Sequence, residues 1–206
     1  MSALTLGLVG CGDDIKKNPL VAEWDTPYQT PPFSEIKLEH YEPAIDYAIE
    51  LNRAEIDAII NNPEAPTFEN TIVAMEQAGS LLGRVTGLFF VLNNCSTSAQ
   101  MQQIALNITP KLTELSNDVA LNPELFARVK AVYDQRESLN LDKEDSMLLE
   151  NTYKGFARSG ALLEGEGVGY MEAFLRKTPI AKYYPKRKEI GLYWQLNLEC
   201  FSCFYS

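Results

Sequence analysis

Apolar residues recur at intervals of three and four through most of this chain, and nowhere alternate with polar ones long enough to define a strand. Between Tyr41 and Ile60 the residues Ile45, Ile49, Ile56 and Ile59 share one side, with Glu50, Arg53, Glu55 and Asp57 interleaved. Pro43 suits the first turn of that helix, where its missing amide is no loss, and Asn61-Asn62-Pro63 ends it. A second helix is predicted after Thr67, whose hydroxyl can cap the free amides while Glu69 complements the positive end. Its stripe runs through Ile72, Met75, Gly79, Leu82, Val85, Phe89 and Leu92, and the spacing of Gly79, Gly83 and Gly87 gives it a flat face for close helix contact.

Ser98 starts a third helix, reaching about Asn117 and kinked or divided by Pro110. Asn122-Pro123-Glu124 opens a fourth, with Leu125, Val129 and Val132 on its inner face. Asp142 caps a fifth, lined by Leu149, Tyr153, Phe156 and Gly160. Residues 34–164 therefore read as all-α, preceded from Asn18 to Phe33 by a proline-rich extended arm with no helix.

At 206 residues, with 46% apolar and 22% charged, the chain can bury a sizeable core without disulfide or metal support. Its 28 acidic against 18 basic residues, and a pI near 4.7, argue against a general nucleic-acid binder. The charge is uneven: residues 1–166 hold 12 basic and 25 acidic residues, whereas residues 167–206 hold 6 and 3. The last stretch also carries 9 of the 21 aromatics. Three regions follow: a leader and tether over 1–17, a helical domain over 18–166, and an aromatic basic tail over 167–206.

Histidine is the most restrictive count. His40 is the only one, so no site needing two imidazoles can be built from this sequence. Placed beside Glu39 and Glu42 at a helix start, His40 is expected to pack or cap rather than catalyse. There is no phosphate-cradling loop and no nucleophile turn. Gly165-Glu166-Gly167-Val168-Gly169 lacks a preceding strand pattern and reads as a flexible turn, and Cys200-Phe201-Ser202-Cys203 lacks the second pair or nearby His that a zinc site needs. Asn94-Cys95-Ser96 and Asn107-Ile108-Thr109 match glycosylation sequons that carry meaning only in a eukaryotic secretory context. No catalytic or metal-ligating residue is assigned.

The order of several short segments carries more information than any one of them. Asn18-Pro19-Leu20, Pro31-Pro32-Phe33, Glu39-His40-Tyr41-Glu42-Pro43-Ala44, Pro66-Thr67-Phe68-Glu69-Asn70-Thr71 with Met75-Glu76, Phe89-Phe90, Leu125-Phe126, Glu137-Ser138-Leu139 and Ser159-Gly160-Ala161 occur in sequence. Their combination, from about Asn18 to Glu164, resembles the N-terminal helical region of bacterial peptidyl-dipeptidases in the thimet oligopeptidase and oligopeptidase A family. The resemblance implies an all-α, multi-helix domain forming one wall of a deep channel. It also implies a parent zinc metallopeptidase that removes C-terminal dipeptides from oligopeptides. There the zinc sits on an H-E-x-x-H helix in a separate catalytic half. That motif is absent here, so the cofactor expectation is zinc in the parent and none in this chain, and oligopeptides would be met through the missing half. A wall detached from that half is expected to self-associate through exposed apolar surface.

Both termini add expectations. Residues 3–9 are apolar but too short to span a bilayer, and Leu8-Val9-Gly10-Cys11 matches a bacterial lipoprotein signal, making Cys11 the candidate lipid attachment residue at the cell envelope. No Lys or Arg precedes that run; a start codon set a few codons too late would explain this, while the alternative is an apolar terminus with an incidental Cys in a cytoplasmic chain. At the other end, Lys182-Tyr183-Tyr184-Pro185-Lys186-Arg187-Lys188 and Tyr193-Trp194 interleave bases and aromatics as single-strand binders and anionic-membrane anchors do. An out-of-frame peptide would look the same and is the preferred reading, making the chain a truncated peptidase region that is inactive alone. The competing reading is a stand-alone helical lipoprotein that binds peptides or a partner.

Overall fold

The computed structural model describes residues 12–162. Cys11, the glycine-rich turn at 165–169, the Cys200–Cys203 pair and the basic aromatic tail lie outside the described residues. Within them the chain is helical, with no strand. The α-helices are α1 (Gly12–Ile15), α2 (Tyr41–Ile60), α3 (Ala74–Gln77), α4 (Ser80–Cys95), α5 (Ala99–Ala120), α6 (Pro123–Asp134) and α7 (Lys143–Arg158). None of the described helices is long and apolar enough to cross a membrane.

The residues group into two compact units. Unit one takes the described residues up to Asn52 together with Gly79–Thr109, and unit two takes Arg53–Ala78 and the described residues from Pro110 onward. In unit one, Ile45 and Ile49 of α2, Val85 and Phe89 of α4, and Ile104 and Ile108 of α5 are buried, as their spacing requires. Tyr41 meets Phe89 edge-on, with ring centroids 5.0 Å apart.

The arm is fastened to this unit. Leu20 is fully buried, and the Asn18 side chain donates to the carbonyl of His40 at 2.8 Å while accepting from the Leu20 amide at 2.9 Å. Arg84 Nη2 donates to the carbonyls of Leu20, Val21 and Ala22 at 3.1, 3.0 and 3.2 Å, and its guanidinium carbon lies 4.7 Å from the Trp24 ring centroid. Desolvation lowers the Arg84 pKa and Glu23 opposes that, so the side chain stays charged at neutral pH. Ahead of the arm Gly12–Ile15 makes a single helical turn, and the arm itself is not wholly extended: Pro27–Gln29 makes a 3₁₀ turn with Tyr28 and Gln29 at positive φ. Hydrogen bonds from the Thr26 hydroxyl to the Thr30 carbonyl and from the Thr30 hydroxyl to the Pro27 carbonyl brace that turn.

In unit two Ile56, Ile59, Phe68, Ile72, Leu125, Val129, Val132, Leu149 and Phe156 form one apolar cluster. Tyr133 and Tyr153 stack at 3.9 Å with 3° between their planes, and Phe126 lies 5.8 Å from both Tyr153 and Phe156. Arg53 pairs with Asp118 at 2.7 Å. The predicted caps are present: Asn122 accepts from the Leu125 amide at 2.9 Å and Asp142 from the Asp145 amide at 2.8 Å.

Four expectations are corrected. The helix after Thr67 is not continuous: Phe68–Val73 is a π-helical turn, α3 follows, and the chain then breaks at Ala78–Gly79, with Gly79 at φ 77. A residue in the left-handed region cannot continue a right-handed helix, and glycine makes the excursion at least cost. Gly83 and Gly87 give no close helix face either, because a Cβ at either would meet nothing within 4 Å. Pro110 does not divide α5; the carbonyl its missing amide would have served belongs to Leu106, 62% exposed, where solvent can satisfy it. Finally, Gly160 does not line α7 but ends it. At φ 101 it lets its own amide bond the Ala157 carbonyl and the Ala161 amide reach back to Phe156.

Candidate functional site

Among the described residues no group of three or more His, Cys, Asp or Glu side chains could hold a metal ion. His40 illustrates why. Its Nδ1 accepts from the Lys37 amide at 3.1 Å, closing the turn Leu38–His40 that leads into α2, which is the capping role its position suggests. The only imidazole of the sequence is thus engaged in structure, and among the described residues the side chains do not fit a zinc centre.

The concave surface of unit one lies around that same turn. One hollow of about 340 Å³ is walled by Phe33 and Ile36 from the end of the arm, Leu38 from the turn, Tyr41 from α2, Leu92 from α4 and Met101 from α5. A second, of about 510 Å³, also includes Lys37 and Leu38 and continues past Glu39, Glu42, Gln100, Gln103 and Ile104. The two differ in chemistry: the first is mostly apolar, with Lys37 and Ser96 as its polar members, and the second is edged by carboxylates and amides.

Local structure orients these groups. Met101 is directed inward because Ser98 caps α5, accepting from the Met101 amide at 3.2 Å. Glu42 Oε1 accepts from Asn107 Nδ2 at 3.0 Å, and Asn107 Oδ1 accepts from Gln103 Nε2 at 3.0 Å, so a carboxylate and two amides form a chain along one edge. Lys37 Nζ lies 3.6 Å from Glu39 Oε1. Burial raises the Tyr41 pKa, keeping the phenol neutral well above physiological pH. Apolar walls beside oriented carboxylate and amide groups make an arrangement that can bind a ligand with both apolar and polar parts.

Sequence reasoning did not single out Lys37, Leu38 or the hollows. Their walls come from segments more than fifty residues apart, and no local pattern joins Phe33 to Leu92. The sequon residue Asn107 takes part in this hydrogen-bonded edge.

With the helices and hollows in view, the likeness to known proteins has a definite extent. The chain is related to a group of bacterial peptidases comprising dipeptidyl carboxypeptidases and, more distantly, oligopeptidases A, and it corresponds to their N-terminal region. It is 45% identical over 149 residues, 72% of its length, to the dipeptidyl carboxypeptidase of Salmonella typhimurium, covering 22% of that protein. The Escherichia coli dipeptidyl carboxypeptidase is 45% identical over 146 residues, with 21% of it covered. Oligopeptidase A of Haemophilus influenzae is 28% identical over 136 residues, with 20% covered. The chain thus spans about a fifth of the length of the curated relatives it matches. No protein-family profile matches it.

Proposed function

We propose that this chain is the substrate-channel wall of a peptidyl-dipeptidase, and that it does not hydrolyse peptides by itself. The observation that carries the reading is the 45% identity over 149 residues to a dipeptidyl carboxypeptidase. The inactivity follows from chemistry: zinc-assisted hydrolysis on an H-E-x-x-H helix needs two imidazoles, and this sequence has one. The role of the helical region is to bound and select, while the bond is cut on residues it does not carry.

A chimaera tests this directly. Replacing the matched 149 residues of the Salmonella protein by those of this chain should preserve dipeptide release, whereas the purified chain given zinc should release none. A folded chimaera without activity would sink the channel-wall reading, and dipeptide release by the chain alone would sink its inactivity. The exposed apolar side chains Phe33, Val91, Leu106 and Met147 support self-association of the isolated chain. Sedimentation showing a monomer across a hundredfold concentration range would refute that part.

We also propose that Cys11 is lipidated at the bacterial envelope, on the strength of Leu8-Val9-Gly10-Cys11. Metabolic labelling with a palmitate analogue should mark the wild-type chain and not Cys11→Ser. Equal labelling, or none, removes the anchor.

A further inference from the structure

The paired hollows of unit one change character across a single residue. On one side of Leu38 the walls are mostly apolar, with Lys37 and Ser96 as the polar members, Tyr41 and Met101 buried, and Phe33 58% exposed. On the other side Ile104 continues the floor for a short distance, and the edge becomes Glu39, Glu42, Gln100 and Gln103. A groove for an amphipathic helix would need an apolar strip several turns long. Here the apolar surface stops, and a preoriented carboxylate follows.

We propose that the hollows form a recognition site for the amino-terminal end of a peptide whose first residue is apolar. The first side chain enters the 340 Å³ hollow between Leu38, Tyr41, Leu92 and Met101. The free ammonium then faces Glu42, and the first peptide units run along the amides of Gln100 and Gln103. Charge supports this occupant. Lys37 stands 3.6 Å from Glu39 and offsets that carboxylate, whereas Glu42 is held by the neutral amide of Asn107. A carboxylate already oriented by a hydrogen bond is a preorganised acceptor for an ammonium. An anionic ligand would meet charge of its own sign at Glu39 and Glu42 and be repelled. The proposal rests on the reading of the chain as a peptidase wall and adds to it which end of the peptide, and which first residue, this wall recognises.

The test uses the full chain and three synthetic probes: Leu-Ala-Gly-Gly, its N-acetylated form, and Gly-Ala-Gly-Gly, each titrated calorimetrically. The leucine probe should bind saturably, and both other probes should bind about five- to tenfold more weakly. Glu42→Gln should weaken the free-amine probe by a similar factor, about five- to tenfold, and leave the acetylated one unchanged. Leu38→Asp should abolish binding. Because Leu38→Asp touches packed residues, the surface substitution Glu42→Gln keeps the site falsifiable on its own. Equal binding of free and acetylated probes, binding untouched by both substitutions, or no binding at all would overturn the site. In each of those cases a chimaera that still releases dipeptides leaves the channel-wall reading standing, so the two failures are told apart.

Discussion

Arg84 and Trp24, sixty residues apart in sequence, meet with the guanidinium 4.7 Å from the indole centroid, while the same guanidinium donates to three consecutive carbonyls of the arm. The indole is itself fixed, donating from Nε1 to the Pro19 carbonyl at 2.8 Å. One side chain thus holds five residues of irregular backbone against α4, and the mouth of the hollow, at Phe33 and Ile36, lies a few residues further along the same arm.

Removing the guanidinium should free that arm. Arg84→Leu is expected to destabilise unit one by about 2–4 kcal/mol, from hydrogen bonds to a charged donor and a lost cation–π contact. Arg84→Lys should recover less than half, since an ammonium cannot span three carbonyls and a ring together. In a Trp194→Phe background, Trp24 emission should shift to longer wavelength in Arg84→Leu. Unchanged emission and melting would show that the arm is held by other means.

The glycine before α4 and the first glycine within it separate two predictions of opposite sign. At Gly79 a Cβ would lie 2.5 Å from Asn52 Nδ2 and the backbone has φ 77, so Gly79→Ala should cost about 1–2 kcal/mol for handedness alone. At Gly83 a Cβ meets nothing, so Gly83→Ala should stabilise by about 0.5–1 kcal/mol. Urea midpoints of the two variants check both signs at once.

Asn70 ties together the start of the π-helical turn. Its Oδ1 accepts from the Thr67 amide at 2.8 Å and from Arg128 at 3.3 Å, and its Nδ2 donates to the Ala65 carbonyl at 2.9 Å. Thr67→Ala should cost about 1 kcal/mol as a lost cap, and Asn70→Ala about 2–3 kcal/mol because it strands several partners. Amide exchange over residues 62–67 should rise sharply in Asn70→Ala alone.

Tyr41 sets a limit at high pH. Its folded-state pKa is raised by burial above the ordinary value of 10.0, so the neutral phenol is favoured by the fold. The associated stability is full below the unfolded value and is lost as pH rises through the folded one. Tyr41→Phe, which keeps the edge contact with Phe89, should therefore flatten the alkaline fall in melting temperature. An unaltered fall would assign it to other groups.

Local chemistry made much of this fold legible. The caps at Ser98, Asn122 and Asp142, the stripe of Ile45, Ile49, Ile56 and Ile59, and the start after Thr67 are all set by residues within a turn or two of each other. What escaped was decided at longer range or by backbone handedness. Gly79 and Gly160 fit an apolar spacing, yet both take positive φ and end helices. Pro110 looked like a divider, yet α5 continues through it with buried side chains on both sides, Ile108 before and Leu115 after. The hollows were invisible because they arise only when arm, turn and three helices come together.

The stacked pair of Tyr133 and Tyr153 gives unit two an optical identity. Two phenol rings stacked 3.9 Å apart should contribute near-ultraviolet dichroism that falls when α6 and α7 part. In the Trp194→Phe background, Trp24, inside the Arg84 clamp, reports on unit one by a separate colour. A single denaturation followed in both channels therefore reads out whether the chain melts as one cooperative body or as two.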